Sequence, residues 1–141
     1  MIQFSILDNA FTLQNTSLLK RWIREVISDE GYRVGQIQFI FCNQDYLLEI
    51  NKRFLGHTYY TDVITFPYSD GSSFLYGDIY IDVNTVLFNA NQYAASFVDE
   101  THRVMIHGIL HLLGYDDQTD DEATFIHHKE DQCLNLLKQM H

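Results

Sequence analysis

The sequence predicts an α+β fold, in which a small mixed sheet of about four strands packs with about five helices around a central buried helix. Short segments that alternate apolar and polar residues interleave with segments of helical periodicity, in the order βαβαββααα. No linker, internal repeat or low-complexity tract interrupts this order. We therefore expect residues 1–141 to form a single domain, which is long enough to bury a substantial core.

The first half of the chain predicts two strand–helix pairs. The first strand is expected over residues 2–6 and the second over residues 37–41, since apolar residues alternate in both. Thr16 is predicted to cap the first helix, which Gly31 ends. Its apolar face comprises Leu19, Trp22, Ile23, Val26 and Ile27. Asn43 is predicted to open a second helix that closes near Gly56 and has three inward residues: Leu47, Ile50 and Phe54.

Two further strands are predicted after a loop at residues 57–61. The β-rich residues 62–66 form the third strand, which Pro67 ends because proline has no N–H to donate to a neighbouring strand. Glycines and serines in residues 68–76 predict a turn or short loop. Residues 77–81 then predict the fourth strand.

Three helices complete the predicted fold. Asp82 is expected to cap the third, whose apolar residues are Val83, Val86, Leu87, Ala90 and Tyr93. Capping boxes of Ser96 with Asp99 and of Thr119 with Glu122 predict the starts of the fourth and fifth. Apolar residues cover nearly the whole circumference of the fourth helix, so we expect it to lie buried in the centre of the domain.

Composition limits the possible functions. The formal net charge of −10 argues against broad electrostatic capture of nucleic acid, which normally uses a basic surface. No apolar run approaches the length of about 20 residues that crosses a bilayer, and the N-terminus does not resemble a signal peptide, so the expected location is cytoplasmic with no membrane partner. Cys42 and Cys133 are expected to be buried free thiols rather than a disulfide.

The fourth helix carries a metal-binding pattern. His107 and His111 are four residues apart, so they lie on one face of the helix and both imidazoles can reach one ion. Gly114 can end the helix in a left-handed conformation, which lets the chain turn back and Asp117 supply a third ligand. Two histidines and a carboxylate leave a coordination position open, as a catalytic metal requires.

The spacing of this pattern matches that of the metzincin proteases, H-E-x-x-H-x-x-G-x-x-H, with two differences in identity. Gly108 stands where those enzymes have the glutamate that acts as general base, so peptide hydrolysis by the same mechanism is not expected. Asp117 stands where they have their last histidine, and its negative charge should make bound water less acidic.

The residues around this pattern resemble the bacterial YbeY family. The string from His107 to Asp116, H-G-x-L-H-L-x-G-Y-D, is similar to the signature of that family. Ile50-Asn51, the block T-D-V-I-T-F at residues 61–66, Gly77-Asp78-Ile79 and Glu100 are similar to further family motifs in the same order.

This resemblance implies a zinc-dependent, single-strand-specific endoribonuclease that acts in ribosomal RNA maturation, at the 3′ end of 16S rRNA, and in ribosome biogenesis. One Zn²⁺ ion, or another divalent metal, would be bound by His107, His111 and Asp117. The implied partners are single-stranded RNA and the small ribosomal subunit or a ribosomal protein, with no DNA.

The chain departs from the family at two positions. The family usually has histidine at position 117, and Asp116 is an alternative ligand there. The family also usually has an arginine, thought to serve catalysis, where this chain has Leu55; Arg53 lies two residues earlier, and a helix rotates by about 200° over two residues.

The identity of the catalytic groups stays open at the level of sequence. The base is the metal hydroxide or a carboxylate such as Glu100, or the RNA 2′-OH acts as the nucleophile. Glu100 is equally consistent with orienting an imidazole or with a charge at the helix start. Asp62 and Asp78 border the cleft or serve as structural caps. His127, His128 and Glu130 are expected on a solvated face.

Aromatic residues near the loop either pack or stack on unpaired bases, namely Tyr59, Tyr60, Phe66, Tyr68, Phe74, Tyr76 and Tyr80.

Three alternatives to the ribonuclease also stay open. One is a metal-dependent amide hydrolase related to proteases, and another is a non-catalytic ribosome-associated zinc protein. The third, an iron oxygenase with two histidines and one carboxylate, is permitted by ligand type alone.

Overall fold

The computed structural model describes residues 1–8, 10–56, 62–68 and 70–140. It confirms the predicted α+β class, with a four-stranded mixed sheet and five α-helices over the described residues. The elements are β1 (Ile2–Ile6), α1 (Thr16–Asp29), β2 (Arg33–Cys42), α2 (Gln44–Ile50), β3 (Val63–Pro67), β4 (Phe74–Asp82), α3 (Val83–Gln92), α4 (Phe97–Leu112) and α5 (Asp120–Gln139). A π-helical segment, Asn51–Leu55, continues α2.

The sheet has the strand order β1-β2-β4-β3. β1 pairs with β2 and β2 with β4 in parallel, whereas β3 pairs with β4 in antiparallel orientation. Pro67 is the last residue of the edge strand β3, a position where a missing N–H is tolerated. The two central strands, β2 and β4, supply fully buried residues to the core, including Phe39, Phe41, Ile79 and Ile81.

Helices cover both faces of the sheet. Phe41, Ile79 and Ile81 belong to the main core, which also includes Trp22 of α1 and Met105 of α4. A second cluster comprises Cys42, Leu47, Ile50 and Ile64, with Phe66 and Tyr80 packed against it. Because successive strand residues point to opposite faces, α2 lies across the sheet from α1 and α4.

α4 is the central helix of the domain, as predicted. It contacts β3, β4, α3 and α5, and eight of its residues are buried. α5 closes the main core from the outside, and the indole N–H of Trp22 in α1 donates to the carbonyl of Cys133 in α5 at 2.7 Å. Both cysteines are free and buried, as expected. Among the described residues, no helix has the length and apolar character needed to cross a membrane.

Most predicted helix caps are confirmed. The side chains of Asn43, Asp82 and Ser96 accept hydrogen bonds from backbone N–H groups in the first turns of α2, α3 and α4. Thr119 and Glu122 form the complete capping box at the start of α5. Thr16 was the wrong choice for α1, because it is the first helical residue and Asn15, in a left-handed conformation, precedes it.

Three further expectations are corrected by the structure. β2 and β4 are longer than predicted, and the start of β4 at Phe74 extends it into the segment assigned to a turn. Phe54 is 61% exposed rather than inward, because the π-helical segment with its wider turn replaces α-helical spacing after Ile50. Leu87 in α3 and Tyr93 directly after it are exposed although they continue the apolar spacing. The predicted loop at residues 57–61, with Tyr59 and Tyr60, lies outside the described residues.

Candidate metal centre

The end of α4 turns the chain back as the sequence predicts. Gly114 has a φ of +104°, a conformation that L-residues with a side chain rarely adopt. The N–H of Gly114 donates to the carbonyl of His111, and the N–H of Tyr115 donates to that of Leu110, both at 3.0 Å. These two bonds form a Schellman motif, which satisfies carbonyls at the helix end and directs the following residues back toward α4.

This turn brings the three predicted ligand residues together. Nε2 of His107 and Nε2 of His111 are 2.8 Å apart, and Oδ2 of Asp117 lies 3.4 Å and 3.5 Å from them. Tetrahedral coordination with bonds of about 2.0–2.1 Å places ligand atoms about 3.3 Å apart. The two distances to the carboxylate match that spacing, and the two nitrogens need to separate by only about 0.5 Å. The donor set therefore fits a small divalent cation.

Asp117, rather than the alternative Asp116, completes this group. The two histidines and Asp117 offer ligand atoms that all lie within 4.8 Å of one another. Asp116 is exposed at the preceding position of the same turn. The structure thus brings the predicted residues into a ligand-like arrangement, and their binding of an ion stays a prediction.

Each histidine uses its other ring nitrogen to contact the protein. Nδ1 of His111 lies 2.9 Å from the carbonyl oxygen of Tyr115, and Nδ1 of His107 lies 2.6 Å from Oε2 of Glu130. Because a carbonyl and a carboxylate accept hydrogen bonds, these contacts favour a proton on each Nδ1 atom, which would leave the Nε2 atoms available to a cation. These contacts therefore favour the tautomer that metal binding requires.

Glu130 contacts the candidate metal centre, which the sequence did not reveal. The expectation of a solvated face for His127, His128 and Glu130 is wrong for Glu130, which is only 5% exposed. Its Oε1 accepts from Nη1 of Arg103 at 2.9 Å while Oε2 contacts His107. A signal existed, since Glu130 lies four residues after Ile126 and three before Cys133, on the buried face of α5.

A cleft of about 240 Å³ opens beside His107 and Asp117. Asp62 and Glu100 both line it, so the expectation that Asp62 borders the cleft is confirmed. Burial raises the pKa of Asp62, and the neighbouring Glu130 carboxylate adds to this while His107 opposes it. Burial also raises the pKa of Glu100, against the opposing charge of Arg103 and with the help of Asp62. A carboxylate with a raised pKa is a better proton acceptor at neutral pH.

Several other predicted candidates do not line this cleft. Arg53 forms an exposed ion pair with Glu49 at 3.6 Å, and Leu55 is 42% exposed. Asp78 accepts a hydrogen bond from the hydroxyl of Tyr68 at 2.9 Å. Of the aromatic residues proposed to stack on bases, Phe66 and Tyr80 pack on the α2 side of the sheet, while Tyr68 and Phe74 are exposed.

The position after the first histidine faces the sheet. A Cβ atom on Gly108 would lie 2.7 Å from Cγ2 of Ile79 in β4, which is closer than real contacts allow. A glutamate at this position would therefore be directed into the core. The general base of the metzincin proteases has no room here, which agrees with the expectation drawn from the sequence.

This arrangement is typical of the metal sites of hydrolases, in which two histidines and a carboxylate leave a coordination position for water. The family model described as endoribonuclease YbeY matches residues 4–138. The chain belongs to this family, as the resemblance implied.

Known relatives cover nearly the whole chain. The endoribonuclease YbeY of Flavobacterium psychrophilum is 42% identical over 97% of this chain and 96% of its own. That of Cytophaga hutchinsonii is 39% identical over 93% of this chain and 92% of its own. The solution structure of TM1509 from Thermotoga maritima is 30% identical, with a TM-score of 0.67, and the match covers 97% of this chain and 89% of that one. These matches support the fold along its full length.

Proposed function

We propose that this protein is a metal-dependent endoribonuclease that hydrolyses phosphodiester bonds in single-stranded RNA, and that residues 1–141 form its single catalytic domain. The observation that carries this proposal is the convergence of two imidazole nitrogens and one carboxylate oxygen within 4.8 Å beside an open cleft. Membership of the endoribonuclease YbeY family supports the choice of RNA as substrate.

His107, His111 and Asp117 would hold the cation through Nε2, Nε2 and Oδ2. Two imidazoles and a carboxylate suit Zn²⁺ and leave part of its coordination shell for substrate. When bound, the ion would supply Lewis-acid polarisation of a phosphoryl oxygen and acidify a water molecule. Glu130 and the carbonyl of Tyr115 keep the imidazoles oriented during this chemistry through the contacts at their Nδ1 atoms.

The cleft carboxylates are the candidates for proton transfer. Asp62 and Glu100 line the same cleft as His107, and burial raises the pKa of both. Either is therefore suited to accept a proton from an attacking hydroxyl group. Arg103 contributes a positive charge to the same cleft wall. Peptide hydrolysis is less well supported, because Gly108 leaves no glutamate beside the first histidine.

The finer identity of the substrate follows from the family. We assign the activity to maturation of ribosomal RNA in the cytoplasm, at the 3′ end of 16S rRNA. The net charge of −10 disfavours unaided approach to a polyanion. A protein of the small ribosomal subunit that presents a basic surface would overcome this repulsion, and is the partner we expect.

The experiment compares RNA and peptide cleavage by protein of measured metal content. We expect the zinc-loaded wild type to cleave a single-stranded RNA and not a peptide, and the chelator-treated protein to be inactive. His107→Ala and Asp117→Ala should each reduce RNA cleavage by at least about 100-fold. Asp116→Ala is the matched control, since it removes the exposed neighbouring carboxylate, and should retain activity.

RNA cleavage that persists in metal-free His107→Ala would overturn the proposal, because the activity would then come from another site or a contaminant. Peptide cleavage that requires His107 would instead favour the amide hydrolase. If Asp117→Ala kept its metal and Asp116→Ala lost it, the third ligand would be Asp116.

A further inference from the structure

We propose that Arg103 is a positioning residue of the metal centre, which acts by holding Glu130 against the imidazole of His107. The inference rests on the proposed metal centre and adds a determinant of its affinity that lies outside the three ligands. Arg103 is in α4, one helical turn before His107 and on the same face, whereas Glu130 approaches from α5.

The guanidinium of Arg103 binds two consecutive carboxylates of α5. Nη1 lies 2.9 Å from Oε1 of Glu130, and Nη2 lies 2.6 Å from Oδ1 of Asp131. The side chain of Asp131 is 45% exposed, and that of Glu130 only 6%. The planar fork of arginine suits this arrangement, because its two nitrogens are fixed relative to each other and contact both partners at once. Asp131 thus aligns the guanidinium, and the guanidinium aligns Glu130.

The buried carboxylate of Glu130 has one strong contact at each oxygen. Oε1 contacts Arg103, and Oε2 lies 2.6 Å from Nδ1 of His107. Loss of the guanidinium would leave Oε1 without this charged partner in a nearly water-free position, which is costly. The carboxylate would then turn toward solvent and release the imidazole. The Nδ1–H tautomer of His107, which leaves Nε2 free for a cation, would lose its support.

A direct role for Arg103 in binding RNA phosphate is the competing explanation, because this residue lines the cleft. Both Nη atoms are already engaged by carboxylates that balance the positive charge. This engagement favours the positioning role. The two roles differ in what they control, since positioning changes metal affinity in the absence of RNA and a phosphate contact changes the KM for RNA.

The first measurement is metal affinity, by competition of Zn²⁺ and Co²⁺ with a chromophoric chelator. We expect Arg103→Met to bind both ions about 10–100-fold more weakly than the wild type. Arg103→Lys keeps the charge but not the fork, and should lie between the two. Arg53→Met is the matched control, because it removes an arginine from an exposed ion pair far along the chain, and should leave affinity unchanged.

The second measurement needs neither metal nor RNA. Long-range proton–nitrogen correlation spectra of the metal-free protein report which ring nitrogen of His107 carries the proton. At a pH where the imidazole of His107 is neutral, we expect the Nδ1–H tautomer in the wild type and in Arg53→Met, and a mixture of tautomers in Arg103→Met. Arg103→Lys keeps the experiment informative if the methionine variant does not fold.

Folded Arg103 variants that keep both the Nδ1–H tautomer and metal affinity within about twofold of the wild type would overturn the inference. Unchanged affinity with a raised KM for RNA would also overturn it and assign the guanidinium to substrate. A wild type that binds zinc without cleaving RNA contradicts the proposed function, but leaves the positioning role standing. If the wild type binds no metal, the tautomer measurement still decides the role of Arg103.

Discussion

Gly108 affects both the packing of α4 against the sheet and the chemistry that the site allows. The glycine lets α4 approach β4 so closely that an added methyl group would meet Ile79 at 2.7 Å. The same approach brings His107 and His111 to the edge of the core, where their rings are partly covered and their Nδ1 atoms find fixed partners. A protease-like glutamate is therefore excluded by packing as well as by identity.

We expect Gly108→Ala to destabilise the protein by about 1–3 kcal/mol, because the new methyl group overpacks the contact with Ile79. The higher helix propensity of alanine offsets up to about 1 kcal/mol of that cost. The measurement is the free energy of unfolding in urea, for a double-mutant cycle with Ile79→Ala. The double variant should be more stable than the sum of the single effects predicts. Additive effects would show that the two side chains do not compete for space.

The residues of the candidate site differ in how far the sequence reveals them. His107, His111, Gly114 and Asp117 lie within eleven positions, and the geometry of one helix and one turn relates them. The contact of Glu130 with His107 spans 23 positions, and depends on how α5 packs against α4. Local periodicity contains no information about that packing. In the sequence, the burial of Glu130 is indicated only by its position on the apolar face of α5.

Among the secondary structure elements, α5 supports both histidines through consecutive residues. Glu130 contacts His107 directly. Lys129 contacts Glu30 at 2.7 Å, and the hydroxyl of Tyr115 donates to the same carboxylate at 2.9 Å. Tyr115 in turn presents its carbonyl to His111. The docking of α5 against α1 and α4 thus fixes the orientation of the whole centre.

The ion pair of Glu30 predicts a pH dependence of stability. Burial tends to raise the pKa of Glu30, but hydrogen bonds from Lys129 and Tyr115 outweigh it, and the net pKa lies below the ordinary value of 4.5. Because the folded pKa is the lower one, the stabilisation is complete above about pH 4.5 and is lost as the pH falls through the folded pKa. We expect Glu30→Gln to lower the free energy of unfolding by about 1 kcal/mol at pH 7.

The difference in the free energy of unfolding between the wild type and Glu30→Gln should disappear as the pH falls below about 4.5. Urea unfolding at several pH values measures it. Glu25→Gln changes an exposed carboxylate on α1, the helix that ends just before Glu30, and serves as the control. A difference that stays constant down to pH 3 would show that the charge of Glu30 is not the cause.

The sequence predicted the helix caps, which depend on contacts between neighbouring residues. It did not predict the π-helical segment or the full length of β4, which depend on other factors. The caps at Asn43, Asp82, Ser96 and Thr119 follow from hydrogen bonds within one turn, so residue type reveals them. The π-helical segment after Ile50 leaves the apolar spacing of α2 intact in sequence but turns Phe54 outward. The longer β4 pairs with β2 from Phe74 onward, and that pairing overrides the turn-like composition of residues 68–76.

The negative charge of the whole molecule favours binding of a cation at the candidate metal centre. The chain carries a net charge of −10, and the cleft is lined by four described carboxylates, namely Asp62, Glu100, Asp117 and Glu130, against one guanidinium. These charges repel one another and an approaching phosphate. A divalent cation would reduce the repulsion and join α4 to the turn that leads into α5. Metal binding should therefore stabilise the entire fold.

We expect removal of the metal to lower the melting temperature. At a free zinc concentration about 100 times the dissociation constant, binding contributes about 2.7 kcal/mol, which for a chain of this length corresponds to about 5–10 °C. The measurement compares thermal unfolding of zinc-loaded and chelator-treated protein, and zinc should restore the loss. His107→Ala should show no such shift, whereas Asp116→Ala should keep it. An equal shift in His107→Ala would place the stabilising ion elsewhere, because that variant lacks one of the two imidazoles on which the centre depends.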